Sequence, residues 1–195
     1  MTRHYGIVLH RFFPQKNKIA LLDNVLGRID GIIRYDTTML GALISYEVEH
    51  KNTAYFVQRI CTEDAPLALA RTDILFVHHV LELCYHFIPI GSCVDGIFEL
   101  LQVLYMPYAS DFSTQSKKIF LFKLLATLGI HASVQVYAVD LFDRLILMSI
   151  DTIGYEQLDL ESEKKLDTWL LYCMSEYANI DALKTMQFLI KSRVA

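Results

Sequence analysis

Hydrophobic and polar positions follow two different rhythms along the chain, and the change falls near residue 62. Before it, short runs alternate with period two, the signature of half-buried strands. Tyr5, Ile7 and Leu9 alternate with Gly6, Val8 and His10, and the turn-prone Pro14-Gln15-Lys16-Asn17 follows. Lys18 to Asn24 resumes an apolar run, and Gly27 supplies a turn position. Next, Ile29, Gly31, Ile33 and Tyr35 face one way while Arg28, Asp30, Ile32 and Arg34 face the other. Ile44, Tyr46 and Val48 alternate with Ser45, Glu47 and Glu49, and Ala54 to Cys61 forms a fifth run after Lys51-Asn52. Five short strands without an intervening helix predict a small antiparallel barrel, because closure removes exposed edges.

From Glu63 onward the period is helical. Ile74 to Phe87 is apolar on one side (Leu75, Phe76, Val80, Leu83, Phe87) and scarcely less so on the other (Val77, Leu81, Cys84), which predicts a central helix buried on most of its circumference. Further helices are expected over Asp95–Tyr105, from Ser113 or Thr114 to Leu128 with Gly129 as the stop, and over Asp140–Ile150, Glu161–Tyr177 and Ile180–Ser192. Tyr108–Ser113 and Asp151–Asp159 read as connectors. The organisation is thus α+β, with a barrel over residues 1–62 and an all-α domain over 63–195.

A chain of 195 residues buries roughly 70% of its open-chain surface on folding, so it needs no disulfide or metal to hold a core. With 53% hydrophobic and 21% charged residues it is far too apolar for disorder. The mean hydropathy of +0.31 raises the question of membrane insertion. Against it, the longest apolar stretch, Ile74 to Gly91, carries His78, His79, Glu82 and His86, and Met1 to His10 lacks a signal-peptide run. These features predict a soluble intracellular protein with either an apolar interior or an exposed apolar partner site. Cys61, Cys84, Cys93 and Cys173 stand singly among apolar neighbours and are expected to be buried, reduced thiols.

Charge is uneven. Residues 1–60 hold eight bases and five acids, and the remainder ten bases and seventeen acids, within a net charge of −4. That asymmetry permits nucleic-acid contact at the front of the chain and excludes a large basic footprint. The barrel's cations interleave with rings: Arg11-Phe12-Phe13, Lys16, Lys18, Arg28 and Arg34-Tyr35. Cations along phosphates and rings under bases are how such barrels bind single strands. The alternative is that Phe12, Phe13 and Tyr35 fill the barrel while the cations are merely solvated. Lys117, Lys118 and Lys123, close to Phe120 and Phe122, are either a seat for an acidic peptide tail or a solvated helix face.

Enzymatic signatures are missing. There is no G-x-S-x-G, Walker sequence or dinucleotide fingerprint. Asp159, Glu161 and Glu163 complement a helix dipole. His78, Glu82 and His86, spaced i, i+4, i+8, share a helix face and could hold a transition metal, but a polar stripe is the simpler account. No catalytic residue and no cofactor is expected.

The order of several segments resembles the bacterial recombination mediator RecO family. Gly6-Ile7-Val8-Leu9-His10-Arg11 is similar to its first strand, Leu26-Gly27-Arg28-Ile29 to its "G-R-[IV]" strand, and Leu40-Gly41-Ala42-Leu43 to its "L-x-G-x-L". Phe120 to Gly129 resembles its "F-E-x-x-L-L-x-x-L-G" helix, and Ile190-Lys191-Ser192-Arg193 its "L-K-S-R" terminus. The resemblance implies an OB-fold barrel followed by a helical domain. It also implies a DNA repair role in the bacterial cytoplasm, at the nucleoid: single- and double-stranded DNA binding, strand annealing and loading of the RecA recombinase. The implied partners are RecR and the acidic, apolar C-terminal tail of single-strand binding protein, with no membrane. On that basis Arg11, Lys16, Lys18, Arg28 and Arg34 would track phosphates, Phe12 or Tyr35 would stack, and Lys117, Lys118 and Lys123 would meet the tail. The chain departs from the family in lacking the four-cysteine zinc insertion, since no cysteine lies between Gly129 and Cys173. It is also shorter and more acidic than is usual there.

Overall fold

In the computed structural model the described residues are 3–12, 14, 17–34, 38–130 and 139–177. Phe13, Lys16, Tyr35 and the expected helix over 180–192 lie outside them.

The period-two runs form five strands: β1 (Arg3–Arg11), β2 (Lys18–Asp23), β3 (Gly27–Ile33), β4 (Leu43–Lys51) and β5 (Ala54–Asp64). They close in the order β1-β2-β3-β5-β4, with β4 returning to β1. Every pairing is antiparallel except β3 with β5, which is parallel. This is the OB-fold expected, and β5 runs two residues past the expected boundary at 62. Val8, Ile19, Leu21, Ile29, Ile33, Ile44, Tyr46 and Val57 fill its interior.

β1 and β2 are buried on both faces. Ile7, Leu9, Ala20 and Leu22 point outward into a second core made with the helices. That double burial explains why Ile7-Val8-Leu9 and Ile19-Ala20-Leu21-Leu22 read as unbroken apolar runs. Each of the larger side chains there contributes about 1.5–3 kcal/mol on burial, so the barrel and the helices are welded rather than tethered.

The helical part begins with α1 (Leu67–Phe87), broken at Asp73 where φ is −151° and ψ 79°. Asp73 Oδ1 accepts the Phe76 amide at 2.9 Å and Oδ2 accepts Lys117 Nζ at 2.9 Å. The expected start at Ile74 is therefore a real cap, preceded by an additional helical stretch. Buried Phe76, Val77, His79, Val80, Leu81, Leu83 and Cys84 cover most of the circumference of α1. After α2 (Ile97–Gln102), the expected connector at 108–113 is largely a 3-10 turn over Pro107–Asp111. α3 (Thr114–Thr127) is capped by Ser113 Oγ on the Ser116 amide at 3.0 Å and stopped at Gly129, φ +73°. α4 (Val139–Leu147) is shorter than expected because Ile150–Thr152 form a separate turn, and α5 (Leu160–Tyr177) packs on α3. Among the described residues no helix is long and apolar enough to cross a membrane.

Two expectations about cysteine need correction. Cys84 and Cys173 are buried, and burial pushes the Cys84 thiol up to about 12. Cys61 and Cys93 are exposed. Cys61 lies on β5 beyond Val57, the last β5 residue paired with β3, and Cys93 lies in the loop after α1 with its Sγ donating to Val25 O at 3.0 Å.

Candidate nucleic-acid interface

Register across the barrel sorts the outward side chains of β1, β2, β3 and β5 into rows. The deepest pairs Leu22 with Arg28. The next joins His10, Ala20 and Asp30, and the last joins Lys18, Ile32, Phe56 and Glu49 across four strands. Ile19, Ile33 and Val57, the chain neighbours in that last row, are interior, so the row itself faces out.

The deep end of this face is covered. Arg28, expected to track phosphates, is 8% exposed. Its guanidinium donates to the carbonyls of Tyr85 and Ile88, the latter at 2.8 Å, and lies 4.3 Å from the centroid of the Tyr85 ring. Asp30 Oδ1 lies 3.7 Å from it. The physical reason is the docking of the β2–β3 hairpin on the loop after α1: Arg28 N donates to Ser92 O at 3.1 Å and Gly91 N to Arg28 O at 2.7 Å. Gly27 makes this approach possible, since its φ is +70° and a Cβ there would overlap the Ser92 carbonyl and lie 2.6 Å from Cys93 N. Arg28 is a clamp between barrel and helix, not a phosphate contact. Tyr85, at the end of α1, stacks on His10 at 4.5 Å and roofs the middle row.

The far end is open. Arg11 and Arg34 are exposed, and Arg11 also donates to Thr38 O at 3.0 Å. The Lys18 side chain keeps 39% exposure, 3.6 Å from Asp30 and 4.5 Å from the centroid of the Phe12 ring. Phe12 is half-buried, against His10 at 5.0 Å and Tyr85 at 6.1 Å, so it neither fills the barrel nor stands clear of it. The structure therefore brings Arg11, Phe12, Lys18 and Arg34 to one end of the barrel and withdraws Arg28. Ile32, which its alternation already placed on the Arg28–Arg34 face, and Phe56, which the sequence did not single out, extend this surface. The parity of Tyr55-Phe56-Val57 carries the signal, but only once Val57 is known to point inward. At the border, Glu49 pairs with Lys51 at 2.9 Å and Glu47 with Arg59 at 2.7 Å.

At the opposite end of the barrel a buried network closes the β2–β3 hairpin. Asp23 accepts from Tyr46 Oη at 2.5 Å and from the Val25 and Leu26 amides at 2.7 Å, with His4 Nδ1 at 3.1 Å. Burial, reinforced by the Asp23 charge, holds the Tyr46 phenol far above its ordinary range, so it stays a donor.

The three helical lysines are all engaged inside the fold. Lys117 pairs with Asp73 at 2.9 Å, and Lys118 with Glu163 and Asp167, both at 2.7 Å. Burial opposes the Lys118 charge, but these two carboxylates overcome it and raise its pKa. Lys117 and Lys118, expected to meet a peptide tail, instead tie α3 to α1 and α5. Lys123 is 7% exposed, donates to the Ile146 and Met148 carbonyls at the end of α4, and has its pKa lowered by burial. It lines a cleft of about 370 Å³ with Leu100, Ala126, Ile146, Met148 and Ile150.

The i, i+4, i+8 stripe assembles no metal centre. Among the described residues no group of three His, Cys, Asp or Glu is placed to hold an ion. His78 and Glu82 are half-buried and His86 exposed, whereas the buried histidine of α1 is His79. Burial lowers the His79 pKa to about 4, with Glu82 opposing.

Compared with known proteins, the chain matches no protein-family model and no curated protein.

Proposed function

We propose that this chain is a RecO-like mediator of DNA repair and recombination that binds single-stranded DNA at the open end of its barrel. Arg11, Lys18 and Arg34 contact phosphates there, and Phe12 supports a base. One observation carries the reading: an OB-fold barrel sets Lys18 against the Phe12 ring at the same end as exposed Arg11 and Arg34, a combination of the kind that holds single strands. The in-order resemblance to RecO extends it to annealing, to recombinase loading with RecR and single-strand binding protein, and to the bacterial nucleoid. The proposed work is binding and strand pairing, which requires no catalytic group.

A second reading, a protein–protein adaptor of the same architecture without DNA contact, is favoured by the helical side. The cleft between α3 and the end of α4 adjoins Ile146 and Leu147, both at least half exposed, and suits an apolar segment. This is also where the mediator reading seats the tail of single-strand binding protein. Fluorescence anisotropy with a labelled oligo-dT at low salt separates the two. Saturable binding that weakens with salt supports the mediator. Retained RecR capture with no oligonucleotide binding supports the adaptor.

A further inference from the structure

We propose that Phe56 is a second base-stacking residue of this interface, beside Phe12, and that Tyr85 confines the bound strand to the outermost row of the barrel, giving a short footprint. The inference rests on the single-strand reading of the barrel and adds to it the path of the strand and a second ring that reads it.

The face between β1 and β3 is graded along its length. Arg28 is buried beneath the end of α1, Asp30 is 16% exposed at its side chain, Ile32 is half-buried and Arg34 is exposed. A strand lying across the inner rows would have to displace Tyr85, which Arg28 holds from below and His10 and Phe12 hold from the side. It would also bring phosphates onto Asp30, whose carboxylate lies between Lys18 and Arg28. One row further out Tyr85 is no longer in the way, and Lys18, 3.6 Å from Asp30, offsets that carboxylate. There the register aligns Lys18, Ile32 and Phe56, an ammonium, an aliphatic floor and a ring.

Lys18 and Phe56 sit two strands apart, about 10 Å, so one backbone phosphate and a nearby base can be met together. Glu49, the next partner of Phe56, closes the row with negative charge. With Asp30 on one border and Glu49 on another, the binding length sits at the low end of the ~4–16 nucleotides seen per OB-fold. The ligand class is single-stranded nucleic acid with little sequence preference, because a phenyl ring accepts any base.

The test uses the full chain. Phe56→Leu preserves the apolar contact and removes the ring, and Phe56→Tyr restores a ring. The expected result is at least about fivefold weaker oligo-dT binding for Phe56→Leu, with near wild-type affinity for Phe56→Tyr. The salt slope should match wild type in both, since no charge changes. Ultraviolet cross-linking of wild type to oligo-dT, mapped by mass spectrometry, should label the Phe56 peptide. Wild-type binding with Phe56→Leu equal to wild type, or cross-links confined to the Tyr85 peptide, would overturn the inference and leave the single-strand reading standing. Absence of wild-type binding would overturn both.

Discussion

Two sets of cations, one buried in the fold and one exposed at the barrel's open end, look alike in sequence and do opposite things in the structure. Lys117, Lys118 and Lys123 flank Phe120 and Phe122 on α3, as Arg11 and Arg34 adjoin Phe12 and Tyr35 on the barrel. Yet the α3 lysines hold α1, α4 and α5 in place, and Arg28 does the same for the β2–β3 hairpin. Lys18, Arg11 and Arg34 keep exposed charge at the barrel's open end. A basic residue contributes to a binding surface only when the fold leaves its donors to solvent, and residue type does not reveal that.

The contrast breaks most visibly at Arg28. Arg28→Ala strands two carbonyls and leaves Asp30 without its buried partner, so urea denaturation should show a loss of about 3–5 kcal/mol. Arg28→Lys should also destabilise, because an ammonium cannot reproduce the planar fork.

The next effect is a pH dependence inside the helical body. Between about pH 6.5 and about 4 the unfolded chain binds a proton at His79 that the buried ring refuses. The unfolded state therefore holds more protons, and stability falls as pH drops through that window, by up to about 3 kcal/mol. Denaturation of His79→Leu across the same range should lose that component of the slope. An unchanged slope would mean other groups carry it.

Lys123→Ala removes the donor from the end of α4 and opens space beside the cleft, for a loss of about 2 kcal/mol in the same assay. Lys123→Met, which keeps the apolar stem, should lose less. At the small end, Lys18→Ala should shift stability by no more than about 0.5 kcal/mol, since its pair with Asp30 is 3.6 Å apart and solvent-screened. A loss as large as that of Arg28→Ala would erase the distinction between the two sets.

The elements themselves were legible because their signals are local. Alternation marked β1, β3 and β4, short runs between turn residues marked β2 and β5, and Ser113 or Thr114 with Gly129 bracketed α3, Ser113 being the cap. The inward and outward assignment along β3 also held, with Ile29 and Ile33 inside and Arg28 outside. What was not legible is pairing over long separations. Lys117 and Asp73 are 44 positions apart, Lys118 and Asp167 49, and Arg28 meets a backbone carbonyl 60 positions away that carries no side-chain signature. Phe56 was hidden for a related reason: its outward aim follows from the parallel β3–β5 pairing, which only barrel closure fixes. Cys61 and Cys93 escaped because apolar neighbours in sequence do not guarantee burial at a strand end or in a docking loop.

The decisive experiment is a salt titration of oligo-dT binding by wild type and by the double variant Lys18→Glu/Arg34→Glu. Three phosphate contacts give a wild-type slope of log affinity on log salt near about −2, and the double variant should bind more weakly with a slope shallower by about 1. Equal slopes and affinities for the two proteins would contradict a phosphate-binding role for this end of the barrel.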